Sequence, residues 1–312
     1  MGKLLSRRET VPAILVVIAF IAGIVESPKF LDFRYLLNVS PEYAETGIMA
    51  LGMTLVIVCA EIDLSVASIL ALVACVVAKM LDAGWGGMAA VCGLLLGTCL
   101  GGVNGVLVGK LKLPSFVVTL ATMALYRGIA QAMLGAHSVK MPHGWIGVDM
   151  LNVPGTPFPI PLVLFAVLAV GVGLLLHRTV FGRWIYMTGT NPSAALYSGL
   201  PVERVKVLVF TITGFLAAIS ALLMDSRLGV ARYDHALGQE LDVITVVVLG
   251  GTSIFGGEGA VLANVLALLL IAFVHIGLYL ANVTGEFQLA VIGTLLVVAV
   301  MISTLVGRRQ KR

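Results

Sequence analysis

Two carboxylates, Glu61 and Asp63, lie between two apolar runs at residues 43–60 and 64–81. A charged side chain at membrane depth is costly, so such a residue usually faces a cavity or pairs with a partner. If a helix begins after Asp63, this carboxylate can accept orphan backbone N–H groups at the positive end of the helix dipole. We take helix capping as the first interpretation of Asp63 and binding of a substrate or a proton as the alternative. Capping explains Glu61 less easily, and a broken helix beside a translocation path would accommodate both carboxylates.

Polar side chains also fall on one face of the helix predicted over residues 114–135. Thr119, Thr122 and Tyr126 recur at intervals of three or four residues, which places them on the same side of a helix. They could line a polar path, or the threonines could bond to their own backbone or to a neighbouring helix. Asn104 is either a packing contact between helices or a pore-lining residue. The candidate path residues are therefore Glu61, Asp63, Ser65, Asn104, Thr119, Thr122 and Tyr126.

A glycine-rich segment at residues 250–259 shares only its glycines with a phosphate-binding loop. It contains no lysine, and the pattern Gly-x-x-x-x-Gly-Lys-Ser/Thr occurs nowhere in the chain. We interpret the segment as a tight turn that joins two closely packed spans. If ATP drives transport, it must then bind to another polypeptide.

Neither an enzyme active site nor a metal site is predicted. The five histidines lie mostly near loops, and no serine, cysteine or aspartate pair forms a buried catalytic constellation with them. The four cysteines include no Cys-x-x-Cys pair and have no histidines at ligand spacing. We therefore expect no catalytic residue, no metal and no cofactor on this chain.

The overall composition indicates that membrane helices position these residues. Of the 312 residues, 59% are apolar and only 12% are charged, whereas a soluble domain is roughly 45–50% apolar and about one-quarter charged. This composition excludes a soluble enzyme, a disordered tail and a nucleic-acid binder. No polar stretch is long enough to form a membrane-anchored globular domain. We predict an all-α, polytopic membrane protein whose residues 1–312 form a single transmembrane domain.

Apolar runs bounded by charges, proline or glycine predict about ten spans, with a range of about eight to ten, at roughly 20 residues each. Some runs are short enough to tilt, break or enter the membrane only partway, notably the first and the eighth. The first run follows basic residues but precedes no small-residue cleavage site, so we expect a retained helix rather than a signal peptide. The predicted spans are 11–25, 43–60, 64–81, 87–109, 114–135, 160–177, 206–228, 241–255, 260–281 and 287–306.

The positions of Lys and Arg predict that both termini are cytoplasmic, because cytoplasmic loops carry an excess of positive charge. This orientation places 13 of the 20 Lys and Arg residues on the inner side and requires an even number of spans. It also predicts a proline-containing outer loop at about 136–159 and an inner loop at about 178–205. The 13 inner cations are Lys3, Arg7, Arg8, Lys110, Lys112, Arg178, Arg183, Arg204, Lys206, Arg308, Arg309, Lys311 and Arg312.

The inner loop contains a short helix with its own start and stop signals. Asn191 suits the N-cap, Pro192 suits the first helical position, and Gly199 suits the left-handed position after the last turn. The predicted helix, residues 192–198, is too short to be stable alone in water. It either lies against its own membrane domain or fills a groove on a cytoplasmic partner.

Four sequence motifs, which are specific in combination, resemble those of a known family. They are residues 51–58 leading into 62–66, residues 112–123, residues 181–183 followed by 189–191, and residues 240–244 running to 248–253. Through them nearly the whole chain resembles the membrane-spanning permease subunits of bacterial ABC importers for monosaccharides, the group that includes ribose, rhamnose and autoinducer-2 permeases. The chain departs from that pattern at Ala60-Glu61, commonly Gly-Gly, and at Ala67, often Gly. Both departures lie beside Asp63.

The resemblance implies that the segment from Asn191 to Gly199 is a coupling helix that inserts into a cleft of an ABC ATPase subunit. ATP and Mg²⁺ would bind to that ATPase, whose closure would switch the permease between outward and inward access. The resemblance also implies a second permease subunit, identical or different, a periplasmic sugar-binding protein, a monosaccharide substrate and the lipid of a bacterial inner membrane. The implied coupling residues are Gly189, Asn191, Pro192, Ala194, Ala195, Ser198 and Gly199.

Two other function classes stay as alternatives. An ion-coupled secondary transporter would use Glu61 and Asp63 as coupling groups at a broken helix, but the inverted repeats of many such transporters are not visible in the sequence. An intramembrane hydrolase has no candidate catalytic constellation. The expected function is the permease subunit of an ATP-driven sugar importer.

Overall fold

The computed structural model describes residues 9–135, 137–141 and 152–310. Residues 136 and 142–151 of the predicted outer loop lie outside these ranges, as do Lys3, Arg7, Arg8, Lys311 and Arg312. The described residues form twelve α-helices, one 3-10 turn and two short strands. In chain order these are α1 (Thr10–Glu26), the 3-10 turn (Pro28–Leu31), α2 (Phe33–Val58), α3 (Val66–Asp82), α4 (Met88–Gly109), α5 (Ser115–Leu134), β1 (Val139–Lys140), α6 (Ile160–Arg178), α7 (Val180–Thr190), α8 (Pro192–Tyr197), α9 (Val202–Leu228), β2 (Val230–Ala231), α10 (Gln239–Leu249), α11 (Val261–Leu280) and α12 (Gly285–Gln310).

The apolar runs predicted as spans coincide with helices, which confirms an all-α membrane bundle. Among the described residues, five helices are each long and apolar enough to cross a membrane, namely α4, α5, α6, α9 and α11. The eighth run, predicted to be short, forms α10 with only 11 residues. The total of about ten crossings and the cytoplasmic position of the termini stay predictions.

Helix α2 begins at Phe33, well before the apolar run predicted at 43–60. Asp32 fixes this early start as the N-cap residue, because its Oδ1 accepts the backbone N–H groups of Arg34 (2.9 Å) and Tyr35 (3.3 Å). The first turns of α2 are polar, so a hydropathy pattern does not detect them. The helix also continues through Pro41.

Helix α3 forms the centre of the bundle. Every residue from Val66 to Cys75 is buried, and the helix packs against α4, α5 and α9. The outward faces of the surrounding helices carry exposed apolar side chains, including Leu95, Val117 and Val167. A buried central helix inside an apolar shell is the arrangement expected where lipid is the solvent.

A row of glycines lets α4 pack directly against α9. Gly97, Gly101 and Gly105 are spaced by four residues and therefore lie on one face of α4. A Cβ atom at Gly101 would overlap the carbonyl oxygen of Phe210, and a Cβ atom at Gly105 would lie 2.8 Å from Cα of Val207. Membrane helices associate through close packing of such small-residue faces, because in lipid the hydrophobic effect does not drive apolar helices together.

The loops gather at two ends of the bundle. At the first, which we call the coupling end, residues 59–65, 110–114, 179–201 and 250–260 lie together. At the other, which we call the strand end, β1 and β2 pair antiparallel, with Val139 opposite Ala231. The loops predicted to share the inner side of the membrane thus meet at one end.

Replacing Gly101 by alanine should destabilise the bundle, because the added methyl group would force α4 away from the backbone of α9. The expected loss in free energy of unfolding is about 1–3 kcal/mol, measured by thermal or denaturant unfolding of the purified protein in detergent. Gly128→Ala is the matched control, since a Cβ atom at Gly128 meets nothing within 4 Å. Equal stability of the two variants would contradict this account of the α4–α9 contact.

Candidate functional site

Helices α2 and α3 are separated by a non-helical segment, residues 59–65, which contains the two carboxylates Glu61 and Asp63. We call this segment the break. Helix α3 begins at Val66, and Asp63 Oδ1 accepts both the backbone N–H of Ser65 (2.8 Å) and its hydroxyl (2.6 Å). The capping interpretation of Asp63 is wrong in detail: Ser65 is the N-cap residue, no side chain caps the first turn, and Asp63 instead holds the turn that leads into the helix. Ala60 turns the chain with a left-handed φ of 61°, a conformation that costs a non-glycine residue roughly 1–2 kcal/mol.

The break is joined to α4 and α5 by side-chain hydrogen bonds. Asn104 Nδ2 donates to Ser65 Oγ (2.7 Å), and the Tyr126 hydroxyl donates to Asn104 Oδ1 (3.3 Å). All these side chains are buried. Three helices thus share one polar network with Asp63 at its base, and four of the seven predicted path residues belong to it.

The two predicted threonines bond to backbone. Thr119 Oγ1 donates to the carbonyl oxygens of Ser115 (2.8 Å) and Ile62 (3.2 Å), and Thr122 Oγ1 donates to that of Thr119 (3.3 Å). Ser115 Oγ in turn accepts the backbone N–H of Ile62 (3.2 Å). The first turn of α5 therefore holds the break in place. A direct role of these residues in a translocation path stays a prediction.

Glu61 forms an ion pair with Lys206 in the first turns of α9. Only 11% of the Glu61 side chain and 18% of the Lys206 side chain are exposed. The pair gives the Glu61 carboxylate a counter-charge. It ties the break to the helix that follows the predicted coupling segment.

The predicted short helix exists and ends one residue earlier than expected. Helix α8 spans Pro192–Tyr197, Asn191 Oδ1 accepts the backbone N–H of Ala194 (2.9 Å), and Gly199 has a left-handed φ of 80°. The N-cap, first-position and stop signals are thus confirmed. Helix α7, which precedes α8, was not predicted, although the sequence contains its N-cap residue: Thr179 Oγ1 accepts the backbone N–H of Gly182 (3.0 Å).

The side chains of α8 point in two directions. Ala195 is buried against the bundle, whereas 91% of Tyr197 is exposed. Ser198 Oγ donates to the carbonyl oxygen of Ala194 (2.9 Å), which closes the last turn. The exposed aromatic ring of Tyr197, absent from the predicted coupling residues, is the most accessible apolar group of this helix.

The glycine-rich segment is a tight turn, as predicted, and it packs between the break and the coupling segment. The backbone N–H of Gly257 donates to the carbonyl oxygen of Val58 (2.9 Å). A Cβ atom at Gly189 would overlap the same carbonyl oxygen, and a Cβ atom at Gly256 would lie 2.8 Å from Cα of Ala60. Three segments far apart in sequence are therefore in backbone contact at the coupling end.

A cleft of about 390 Å³ opens beside α8 at this end. The Glu61–Lys206 pair lies in its wall, and a second pair, Lys112 with Glu203 (3.6 Å), is largely exposed. Among the described residues, no group of three His, Cys, Asp or Glu side chains could hold a metal ion. The full lining is Glu61, Val108, Gly109, Lys112, Leu113, Pro114, Pro192, Ser193, Leu196, Val202, Glu203 and Lys206.

A second buried polar cluster lies at the strand end and was not predicted. Arg127 Nη1 donates to the carbonyl oxygens of Tyr233 (2.8 Å) and His235 (2.6 Å). Nδ1 of His235 lies 3.6 Å from Oδ1 of Asp225, and both side chains are buried. The sequence offered two weak signals for this cluster, an arginine beside the polar face of α5 and an aspartate in the last turns of an apolar span.

Two further ion pairs flank this cluster. Arg227 forms a bidentate pair with the buried Glu45 on α2 (2.8 and 2.9 Å). On the exposed loop, Arg232 forms a bidentate pair with Asp234 (2.8 and 2.6 Å), which holds the pKa of the Asp234 carboxyl below its ordinary value. The first pair joins α2 to α9, and the second shapes the loop after β2.

The chain matches the family described as branched-chain amino acid transport system / permease component over residues 35–300. It is 33% identical to the ribose import permease protein RbsC of Haemophilus influenzae, over 99% of this chain and 96% of that protein. It is 36% identical to RbsC of Bacillus subtilis, over 92% and 90% of the two chains. It is also 36% identical to the autoinducer 2 import system permease protein LsrD of Klebsiella pneumoniae, over 88% and 85%. No solved structure matches the chain.

Replacing Lys206 by methionine should destabilise the protein by about 3 kcal/mol, because it leaves the carboxylate of Glu61 buried without a counter-charge. The double variant Glu61→Met, Lys206→Met should recover most of the loss, since both charges are then removed. Unfolding in detergent measures each free energy.

Lys112→Met is the control for this cycle. Its partner Glu203 is half-exposed, and an exposed pair contributes about 0–1 kcal/mol. Simple additivity of the two single substitutions at Glu61 and Lys206 would show that the pair contributes nothing.

Proposed function

Because the chain belongs to the permease-component family that it matches over residues 35–300, we propose that it is the membrane-spanning subunit of an ATP-driven importer for a monosaccharide. It is a multi-pass protein of the inner membrane. The observation that carries the proposal is the contact of the α7–α8 segment with the chain break, which connects an exposed short helix to the polar centre of the bundle. Such a connection can transmit movement from a partner to the membrane helices.

The choice of a sugar rests on the full-length relatives. The family description names branched-chain amino acids, whereas the relatives at 33–36% identity are named for import of ribose and of autoinducer 2. The relatives match the chain almost from end to end and therefore favour a sugar. The cargo we propose is therefore a small polyhydroxylated molecule of the monosaccharide class.

Helix α8 is the proposed docking element for an ABC ATPase subunit. A six-residue helix is not stable alone, and α8 is fixed by the Asn191 cap, by burial of Ala195 and by the contact of Gly189 with Val58. These constraints make it a rigid projection, and the exposed ring of Tyr197 is suited to a pocket on a partner. ATP and Mg²⁺ would bind to that partner, with no cofactor on this chain.

The transmission route follows from the contacts at the coupling end. Movement of α8 would act on the break through Gly189 and Gly257, and on Glu61 through Lys206. The break carries Asp63, whose network reaches α4 and α5. Because interfaces of packed helices switch between discrete arrangements, a displacement of about 1–2 Å at α8 can be amplified into alternating access.

The remaining assembly is proposed from the resemblance. A second permease subunit, identical or different, would complete the path, and about ten crossings with cytoplasmic termini would place α8 on the cytoplasmic side. A periplasmic sugar-binding protein would then dock at the strand end. The buried path residues Asp63, Ser65, Asn104 and Tyr126 would face the substrate only after α4 and α5 separate.

Tyr197→Ala should weaken assembly with the ATPase subunit about tenfold or more, because a buried aromatic anchor at an interface is typically worth at least about 2 kcal/mol. Co-purification and titration of the complex in nanodiscs would measure the loss. Tyr279→Ala is the matched control, since Tyr279 is also exposed, on the last turn of α11 away from the coupling end. Normal assembly of the Tyr197 variant would contradict the docking role of α8.

Uptake of ribose into proteoliposomes should require ATP, the ATPase subunit and the binding protein together, because this chain supplies only the membrane path. Radiolabelled ribose measures uptake, and leucine serves as the competing substrate class. Two results would overturn the proposal: uptake by this chain alone under an ion gradient, or ATP-dependent uptake of leucine with none of ribose.

A further inference from the structure

The buried polar cluster at the strand end contains more hydrogen-bond acceptors than the protein satisfies. Arg127 on α5, Asp225 on α9 and His235 on the loop are in contact, and Gln239 and Glu240 follow them in the chain at the start of α10. Arg127 holds the loop through the Tyr233 and His235 carbonyl oxygens and lies within electrostatic reach of Glu240. We call these five residues the strand-end cluster.

Several of its buried atoms have no hydrogen-bond partner. Within the described part of the chain, these are both carboxylate oxygens of Asp225, Nδ1 of His235, Oε1 of Gln239 and Oε2 of Glu240. Asp225 is fully buried, and its ion-pair contact within the described residues is the imidazole of His235 at 3.6 Å, which is beyond ordinary hydrogen-bond distance. Buried polar groups are almost always hydrogen-bonded, so each of these atoms requires an explanation.

The chemistry of the free atoms defines what would satisfy them. Four of the five are oxygen acceptors on carboxylate or amide groups, and a neutral imidazole nitrogen can also accept. Nη1 of Arg127 is shared by two carbonyl oxygens and does not satisfy these atoms. The matching ligand is therefore rich in hydrogen-bond donors, and for the proposed importer the hydroxyl groups of a monosaccharide supply them.

The polar network around Asp63 differs in this respect. Ser65, Asn104 and Tyr126 satisfy one another, and only Oδ2 of Asp63 lacks a hydrogen bond among their described side chains. A network that is already satisfied gains little from a ligand, whereas an unsatisfied one gains the full hydrogen-bond energy of each new contact.

We infer that the strand-end cluster is the site where this chain contacts the hydroxyl groups of its sugar substrate, an inference that rests on the proposed import function. The site is closed in this structure, with the loop from Arg232 to Gly238 held against α5 by Arg127. Release of the two Arg127 hydrogen bonds would open it from the side opposite α8. The unsatisfied oxygens of Asp225 and Glu240 would then select hydroxyl donors.

The test compares ribose with its 2-deoxy, 3-deoxy and 5-deoxy analogues in proteoliposomes that contain the complete importer, ATP and binding protein saturated with each sugar. The variants are Glu240→Gln, Gln239→Leu and Asp225→Asn. If Asp225→Asn does not fold, the other two variants still test the inference. Asp82→Asn is the matched control, because Asp82 is an exposed carboxylate in the last turn of α3, at the same end of the bundle but outside the loop.

We expect each folded variant to reduce ribose uptake about tenfold or more, the effect of losing a hydrogen bond to a charged or buried group. Uptake of at least one deoxy analogue should change less than threefold, because that analogue lacks the hydroxyl that the deleted group contacts. The Asp82→Asn control should transport all four sugars at the wild-type rate.

A uniform loss for all four sugars would assign the cluster to packing or to docking of the binding protein, and would overturn the inference. Unchanged uptake of every sugar by the variants would overturn it as well. Both results leave the import function intact. Failure of the wild-type importer to take up ribose with ATP would instead refute the proposed function.

Discussion

The rest of the structure depends on one constraint, the need to satisfy the backbone polar groups where α2 and α3 are interrupted. Most residues around the break are buried in protein, and each buried polar group left unsatisfied costs about 2–7 kcal/mol. The backbone groups at the break are satisfied by hydrogen bonds to residues of other elements. The N–H of Ile62 bonds to Ser115 and its carbonyl to Thr119, while the carbonyl of Val58 accepts from Gly257.

Because these hydrogen bonds come from other elements, the break responds to movement of those elements. Its backbone bonds lead to α5 and to the glycine-rich turn, and its side chains lead to α4 through Asn104 and to α9 through Lys206. A displacement of any one of these elements must therefore be accommodated by the break or by the other elements. An exposed helix attached to the same point, as α8 is through Gly189, has direct access to the centre of the bundle.

Glycine provides the space for these contacts. Along α4 a spacing of four residues removes the side chains from one face, and α9 approaches until backbone meets backbone. At the coupling end Gly189 and Gly256 do the same for single contacts. Tight packing of this kind resists gradual deformation, so the bundle is expected to change state by discrete shifts between packed arrangements rather than by continuous bending.

The sequence by itself determined the membrane class, the approximate positions of the apolar helices and the ends of α8. These features follow from hydropathy and from capping chemistry, which depend on residues close together in the chain. The sequence also indicated a helix start after Asp63 and a tight turn at 250–259. Only the tertiary structure decided that Glu61 pairs with Lys206, that Asn104 joins Ser65 to Tyr126, and that Arg127, Asp225 and His235 form one cluster. The physical reason is that these contacts depend on which helices are neighbours, and in a uniformly apolar chain hydropathy carries no information about that choice.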